Sequence, residues 1–196
     1  MRAFLSFDRR VRIAAMRSLL CLSILALLPS IAGAQKVELS KAPDFSAKDL
    51  SGKTVKLSDL LKTGPVLVDF WTTWCKPCKN ELPELDKLYR TYRDRGFQVV
   101  ALSQDDPKSV LAVKPLVTQK KWEMIVLTDT KRDVGNLFNV RNYPTSFLIA
   151  QDGTIASFAQ GYMPGDEKQL EAKVVGLLGG EAGTPSGSTQ GSEPPK

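Results

Sequence analysis

The 196-residue chain has no histidine and only three cysteines, and these two scarcities exclude several kinds of protein. Metal sites that combine imidazole with thiolate ligands cannot be built without histidine. A zinc site needs about four ligands, whereas the segment that carries Cys21 is expected to be removed. The remaining pair, Cys75 and Cys78, is too small a ligand set for zinc within one chain. We therefore expect no metal.

Long apolar runs are also scarce. The N-terminal run over residues 19–28 is about half as long as the roughly 20 residues of a membrane span. Arginines precede this run and a small-residue site ending at Ala34 follows it, which is the order of a secretory signal peptide. We expect residues 1–34 to be cleaved and the protein to be periplasmic, with translation starting at Met1 or Met16. An uncleaved anchor is the alternative.

The positive charge of the chain belongs mostly to this leader. Five of the 27 basic residues and one of the 21 acidic residues lie in residues 1–34, which leaves 22 basic against 20 acidic side chains. A net charge of about +2 gives little attraction for polyanions. We therefore expect no nucleic-acid partner.

The other end of the chain lacks large apolar residues. Residues 179–196 are rich in Gly, Ser, Pro and Thr, and such a segment cannot bury enough surface to offset its conformational entropy. This composition predicts a disordered tail, the alternative being a tail packed on the domain. Residues 35–178 are then one domain.

The first half of that domain predicts a hairpin followed by a βαβ unit. Residues 45–60 alternate in polarity on either side of Ser51-Gly52, a hairpin pattern. Two nearly continuous apolar runs, 65–71 and 97–104, are typical of buried strands. Between them, residues 75–95 have apolar side chains at helical spacing. The two strands should therefore be parallel.

The second half predicts five further elements in chain order: a helix over 105–122, a strand over 123–129, a short helix over 132–140, a hairpin over 145–160 around Asp152-Gly153, and a helix over 166–178. Pro115 should kink or end the first of these helices. Together the elements predict an α/β fold: a mixed β-sheet flanked by helices on both faces, with an N-terminal β-hairpin extension.

The two cysteines of the domain are separated by two residues, at the predicted junction of a strand and a helix. A purely structural disulfide here closes a very small loop and adds little stability. Redox chemistry explains the placement better, because the first turn of a helix offers unpaired N–H groups and partial positive charge to a Cys75 thiolate. Lys76 adds a cation that tunes the site, or is simply solvated, and Pro77 suits a first-turn position.

The stretches "VDFWTTWCKPC" and "YPTSFLI" resemble the thioredoxin superfamily. The stretches "APDFSAKDLSGKTVKLSDL" and "CKPCKNELPEL" are similar to its TlpA/ResA-like branch of periplasmic thiol-disulfide oxidoreductases. The resemblance covers residues 42–178. It implies a thioredoxin-like fold and disulfide exchange without an organic cofactor.

The resemblance also implies a substrate-binding surface. Pro144 is expected to be a cis-proline facing the cysteines, which leaves the backbone of Tyr143 open to pair with an extended substrate and places Thr145 beside it. Trp74 matches the tryptophan that covers one side of the site, the alternative being core packing.

Two carboxylates complete the expected site. Asp69, in an otherwise apolar strand, matches the aspartate proposed to move protons for Cys78, and burial should raise its pKa. Its alternative is a side chain that reaches water or a lysine. Glu81 coincides with a glutamate near the active site of ResA-like proteins, and its alternative is an exposed acid in the first helical turn.

The expected reaction is attack of the Cys75 thiolate on a partner disulfide, followed by attack of Cys78 on the mixed disulfide. The family implies disulfide-containing extracytoplasmic substrates such as apocytochrome c or copper-site proteins, and a membrane thiol reductant as electron donor. We expect a monomer. The motif leaves the net direction of exchange open.

Two other functions remain as alternatives. A thiol peroxidase of the peroxiredoxin type has the pattern Pro-x-x-x-Thr-x-x-Cys; Thr72 fits it, but Val68 stands at the proline position. A copper carrier of the Sco type has three residues between its cysteines and a distant histidine, which this chain does not have.

Overall fold

Seven strands form one sheet in the order β2-β1-β5-β4-β3-β6-β7. The strands are β1 (Ser46–Asp49), β2 (Thr54–Lys56), β3 (Val66–Trp71), β4 (Gln98–Ser103), β5 (Ile125–Thr128), β6 (Thr145–Ile149) and β7 (Ile155–Gln160). The helices are α1 (Leu57–Leu60), α2 (Lys76–Tyr92), α3 (Val113–Lys120), α4 (Asp133–Leu137) and α5 (Asp166–Leu177).

The computed structural model describes residues 40–179. The predicted signal peptide at 1–34, Cys21 within it, and the predicted tail beyond Gly179 lie outside the described residues. Within 40–179, no helix has both the length and the apolar character needed to cross a bilayer.

The centre of the sheet is the predicted βαβ unit. β3 and β4 are parallel, in register from Val66 opposite Gln98 to Trp71 opposite Ser103, and β5 continues the parallel set. β6 and β7 form an antiparallel hairpin that adds to the other side of β3. The parallel pairing is confirmed, and because parallel strands end at one edge of the sheet, the residues that follow β3 and β4 meet there.

Alternation along β3 sends its side chains to two separate cores. Leu67 and Trp71 pack on the face covered by α2 and α5, whereas Val68 and Phe70 pack on the face covered by α1 and α4. Asp69 lies between Leu67 and Trp71 in sequence, so its side chain faces α2. Helices therefore cover both faces, as the fold class predicts.

The helix α2 is held by an apolar stripe at the predicted spacing. Leu82, Leu85, Leu88 and Tyr92 are buried, and Val174 of α5 belongs to the same core. Each of these leucines contributes about 1.5–3 kcal/mol when buried. This packing fixes the start of α2 at the end of β3, where the two cysteines lie.

Two predicted elements begin or end elsewhere. The helix expected over 105–122 is a 3-10 turn (Ser109–Ala112) followed by α3 (Val113–Lys120), because the carboxylate of Asp106 accepts hydrogen bonds from the next backbone N–H groups and stabilises a turn. Pro115 lies in the first turn of α3, where its missing N–H costs nothing, so it does not end the helix.

At the N-terminal end, β1 and β2 pair antiparallel, and the residues between them include Gly52 with a positive φ of 90°. Leu57–Leu60, the end of the segment expected to alternate as a strand, is a helical turn instead. Leu57 is buried there and packs against the face of the sheet opposite α2.

Candidate active site

The two redox-candidate cysteines lie where β3 ends and α2 begins, and they form a disulfide. Cys75 is the N-cap of α2 and Cys78 lies in its first turn. Cys75 is 5% exposed and lines a surface groove, whereas Cys78 is completely buried. A partner can therefore approach the pair from the Cys75 side.

The start of α2 favours negative charge on the sulfur of Cys75. The backbone N–H of Cys78 donates a hydrogen bond to Cys75 Sγ at 3.2 Å. Pro77, at the second helical position, has no N–H to satisfy, and the acids of α2 begin only at Glu81 in the second turn. The exposed side chain of Lys76 starts the helix. Its tuning role stays a prediction.

A buried aspartate fixes the loop that carries the cysteine. Asp105 accepts hydrogen bonds from the backbone N–H of Thr73 at 2.9 Å, from the Thr73 hydroxyl at 2.7 Å and from the Ser103 hydroxyl at 2.9 Å. Cys75 closes the same loop by donating its backbone N–H to Thr72 O at 3.2 Å. These bonds hold the cysteine at the sheet edge.

Two aromatic residues line the groove beside Cys75. Trp74 is 66% exposed, so it does not belong to the core, and its ring lies edge-on to the ring of Tyr143 with centroids 5.9 Å apart. Lys76 and Pro77 line the same groove. The structure thus brings five of the sequence-predicted site residues to one surface.

The residues after Tyr143 continue into β6. The Tyr143–Pro144 peptide bond is cis, as the resemblance implies. Thr145 is buried and its hydroxyl donates to Asn142 O at 2.7 Å, so its side chain holds the loop and does not line the groove. A substrate contact through the backbone of these residues stays a prediction.

Asp69 is a completely buried carboxylate. Neither of its carboxylate oxygens has a hydrogen-bond partner among the described residues, so the alternative of an aspartate that reaches water or a lysine is wrong. Burial raises the pKa of Asp69 well above its usual value, and Glu81 raises it further when it is ionised.

Glu81 is the second buried carboxylate of this face. It is 6% exposed and lies in the second turn of α2, so the alternative of an exposed first-turn acid is wrong. Its Oε2 atom is buried without a hydrogen-bond partner among the described residues. Burial, together with the negative charge of Asp166, raises the pKa of Glu81 from its usual 4.5 to about 8. The side chain therefore holds a proton at neutral pH.

A cleft of about 350 Å³ between β7 and α5 opens onto Glu81. Ser146 of β6, which pairs with Asp69 of β3, lines the cleft together with Tyr162 and Asp166. This opening gives the carboxyl group of Glu81 a route to solvent. It shares no lining residue with the groove beside Cys75.

Sequence reasoning missed three residues of the site: Asp105, Arg132 and Arg141. Asp105 could have been found, because it directly follows the strand predicted to be parallel to β3 and must therefore lie near the cysteines. The two arginines carry no comparable signal, since they reach the groove through irregular segments on either side of α4.

Comparison with known proteins agrees with this geometry. The model of the AhpC/TSA family matches residues 39–158. The thiol-disulfide oxidoreductase ResA of Bacillus thuringiensis subsp. konkukian is 38% identical over 138 residues, which cover 70% of this chain and 77% of that protein. The ResA of Bacillus subtilis is 36% identical over 126 residues, which cover 64% of this chain and 69% of that protein.

Solved structures share the architecture. A thiol:disulfide interchange protein of the thioredoxin family from Chlorobium tepidum has a TM-score of 0.62 and 27% sequence identity, covering 71% of this chain and 97% of that one. Its name and those of the ResA relatives describe the exchange chemistry that a cysteine pair at a helix start can perform. The chain therefore belongs to the AhpC/TSA family and, within it, to the ResA-like thiol-disulfide oxidoreductases.

Proposed function

We propose that the protein reduces disulfide bonds of partner proteins outside the cytoplasm, with Cys75 as the attacking thiolate. The unequal positions of the two cysteines carry this proposal. Cys75 lines an open groove with Trp74 and Tyr143, whereas Cys78 is buried behind it. Cys75 borders the groove and can meet a partner there, whereas the buried Cys78 can meet only Cys75.

The exchange is balanced in two steps. The Cys75 thiolate attacks one sulfur of the partner disulfide, a Cys75–partner bond forms, and the other partner sulfur leaves as a thiolate and takes up a proton. Cys78 then loses its proton and attacks Cys75, forming the Cys75–Cys78 disulfide and releasing the second partner thiol. The partner gains two electrons from the protein and two protons, of which one matches the proton that Cys75 released on ionising and the other comes from Cys78.

The buried carboxylates serve the second step. Cys78 is buried, so its proton needs an acceptor inside the protein. Asp69 faces α2 from the adjacent strand, and its raised pKa makes its carboxylate a stronger base than an exposed one. Glu81, which interacts electrostatically with Asp69 and lines the cleft, releases its own proton to solvent and then takes up the one from Asp69.

The proposed setting is the periplasm, reached through a signal peptide at residues 1–34. A protein that reduces disulfides there ends each cycle oxidised, so a membrane thiol protein must return it to the dithiol form. The family resemblance suggests cysteine pairs of apocytochrome c or of copper-site proteins as substrates. A monomer suffices for this reaction, because both sulfurs come from one chain.

The experiment is to trap substrates on Cys75. Cys78→Ala cannot resolve the mixed disulfide, so partners should stay bound to Cys75 and be released by dithiothreitol. Cys75→Ala is the matched control and should trap none of them. Recovery of cytochrome or copper-protein precursors supports the reductant, whereas a broad set of secreted proteins indicates an oxidase or isomerase. No Cys75-dependent adduct would overturn the proposal.

A thiol peroxidase is the second candidate, since the AhpC/TSA model matches and Thr72 stands three residues before Cys75. Val68, at the place of the motif's proline, is a buried residue of β3. We expect hydrogen peroxide to oxidise Cys75 no faster than an ordinary thiolate of similar pKa. Rapid, saturable peroxide turnover would favour the peroxidase instead.

A further inference from the structure

The groove beside Cys75 has an excess of exposed positive charge. Its lining includes three exposed cations, Lys76, Arg132 and Arg141, and one exposed acid, Asp106. The cations come from three separate segments: the start of α2, the loop before α4 and the loop before β6. The fold therefore brings together cations that are distant in sequence, and they do not form a run of charges along one helix or strand.

Both arginines are held in place by their neighbours. The guanidinium of Arg132 lies 5.7 Å from the ring centroid of Tyr143 and donates to Val140 O at 3.4 Å. Arg141 Nε donates to Asn139 Oδ1 at 3.1 Å. A guanidinium has five N–H donors, so these contacts leave several for another group. Ordering these two side chains around a bound carboxylate therefore costs little conformational entropy.

The nearby acids reduce this charge, but Asp106 is the one acid among the groove's lining residues, and Asp105 and Asp129 are buried. The carboxylate of Asp106 already accepts two backbone hydrogen bonds, and the buried Asp105 and Asp129 accept bonds from interior donors. All three are oriented toward these donors. Burial raises the pKa of Tyr143, and Arg132 counteracts that rise more strongly than Asp129 or Asp105 adds to it.

We propose that this groove selects partner segments that carry aspartate or glutamate next to the reacting cysteine. The inference rests on the proposed function, since it specifies which disulfides the Cys75 thiolate meets. An extended segment lying across Trp74 and Tyr143 would bring its flanking carboxylate to Arg132 or Arg141, where paired N–H groups bind it bidentately. The occupant is a partner protein with an acidic disulfide segment.

Simple activation of the cysteine predicts something different. Cations near Cys75 also stabilise its thiolate, and that effect accelerates exchange with every disulfide to the same degree. Selection in the groove instead changes the ratio of rates between acidic and basic partners. The ratio is therefore the quantity to measure.

The test uses three peptides that are identical except for the residues flanking a single disulfide, which are Glu, Gln or Lys. The purified protein is reduced, and its oxidation by each peptide is followed through tryptophan fluorescence. We expect rates in the order Glu, Gln, Lys. An exposed ion pair changes binding roughly two- to fivefold, so attraction and repulsion together should span about tenfold at low salt. The span should shrink near 0.5 M salt.

Variants identify the residues responsible. The double variant Arg132→Gln, Arg141→Gln should lose most of the rate difference between the Glu and Lys peptides. The double variant Arg132→Lys, Arg141→Lys should keep a part of it. Lys53→Gln, in the exposed β1–β2 turn, is the matched control and should keep the full span. If the double variant does not fold, the salt dependence of the wild-type rate ratio between the Glu and Lys peptides still tests the inference.

The outcomes separate the two proposals. Equal rates for all three peptides, or a span that survives the double Gln variant or high salt, would overturn the acidic-partner inference while leaving disulfide exchange intact. If even the Gln peptide is not reduced, the proposed function itself fails.

Discussion

Glu81→Gln tests the buried carboxylates most directly, because ionising Glu81 must cost folding free energy. Its pKa rises from the usual 4.5 to about 8, mainly through burial and also through the charge of Asp166. Each pKa unit corresponds to about 1.4 kcal/mol, so the anion is disfavoured by about 5 kcal/mol in the folded protein.

The sign of the pH dependence follows from the two pKa values. Between pH 4.5 and 8 the unfolded chain has released the proton of Glu81 while the folded protein retains it. Stability therefore falls as pH rises through this window, and the loss is complete above pH 8. Between pH 6 and pH 9 the contribution of Glu81 to the free energy of unfolding should drop by about 3 kcal/mol.

The assay is urea unfolding of the oxidised protein at pH 6 and pH 9, followed by tryptophan fluorescence. Wild type should lose more stability than Glu81→Gln over this range, by about 3 kcal/mol. Glu84→Gln lies on the same helix at a partly exposed position and should behave as wild type. An equal loss in wild type and Glu81→Gln would refute the reasoning.

Three further predictions concern the loop and the core. In the reduced protein, iodoacetamide alkylation against pH should give Cys75 a pKa below the 8.5 of free cysteine, and a value of 8.5 would contradict the role of the helix start. Asp105→Ala should lower the free energy of unfolding by about 2–4 kcal/mol, because the partly buried N–H of Thr73 and the buried hydroxyl of Ser103 lose their acceptor. A loss under about 1 kcal/mol would show that this hydrogen bonding is dispensable. Leu85→Ala should cost about 2–5 kcal/mol by the same urea assay, and a near-neutral result would mean that α2 repacks.

The central βαβ unit could be predicted because the sequence patterns that indicate it are local. The apolar run of β3 and the helical spacing of Leu82, Leu85 and Tyr92 each reflect burial that the residues themselves require. The placement of Cys75 and Cys78 at the strand–helix junction follows from the change of period between those two segments. No distant contact is needed to predict any of these features.

The remaining features depend on contacts between distant segments. The start of α3 is set by the turn around Asp106, which competes with the helix that the apolar spacing predicts. The pKa of Glu81 depends partly on Asp166 of the last helix. Arg132 and Arg141 line the same groove as Cys75 only because two irregular loops border it. The spacing of apolar residues along the sequence carries no information about these contacts.

The groove beside Cys75 and the cleft at Glu81 are separate openings in the protein surface. A partner docked over Trp74 and Cys75 covers the groove, yet the cleft at Glu81 is lined by entirely different residues. In the proposed complex, water therefore keeps its access to Glu81. In the proposed reaction, protons can therefore leave through the cleft while disulfide exchange takes place in the groove.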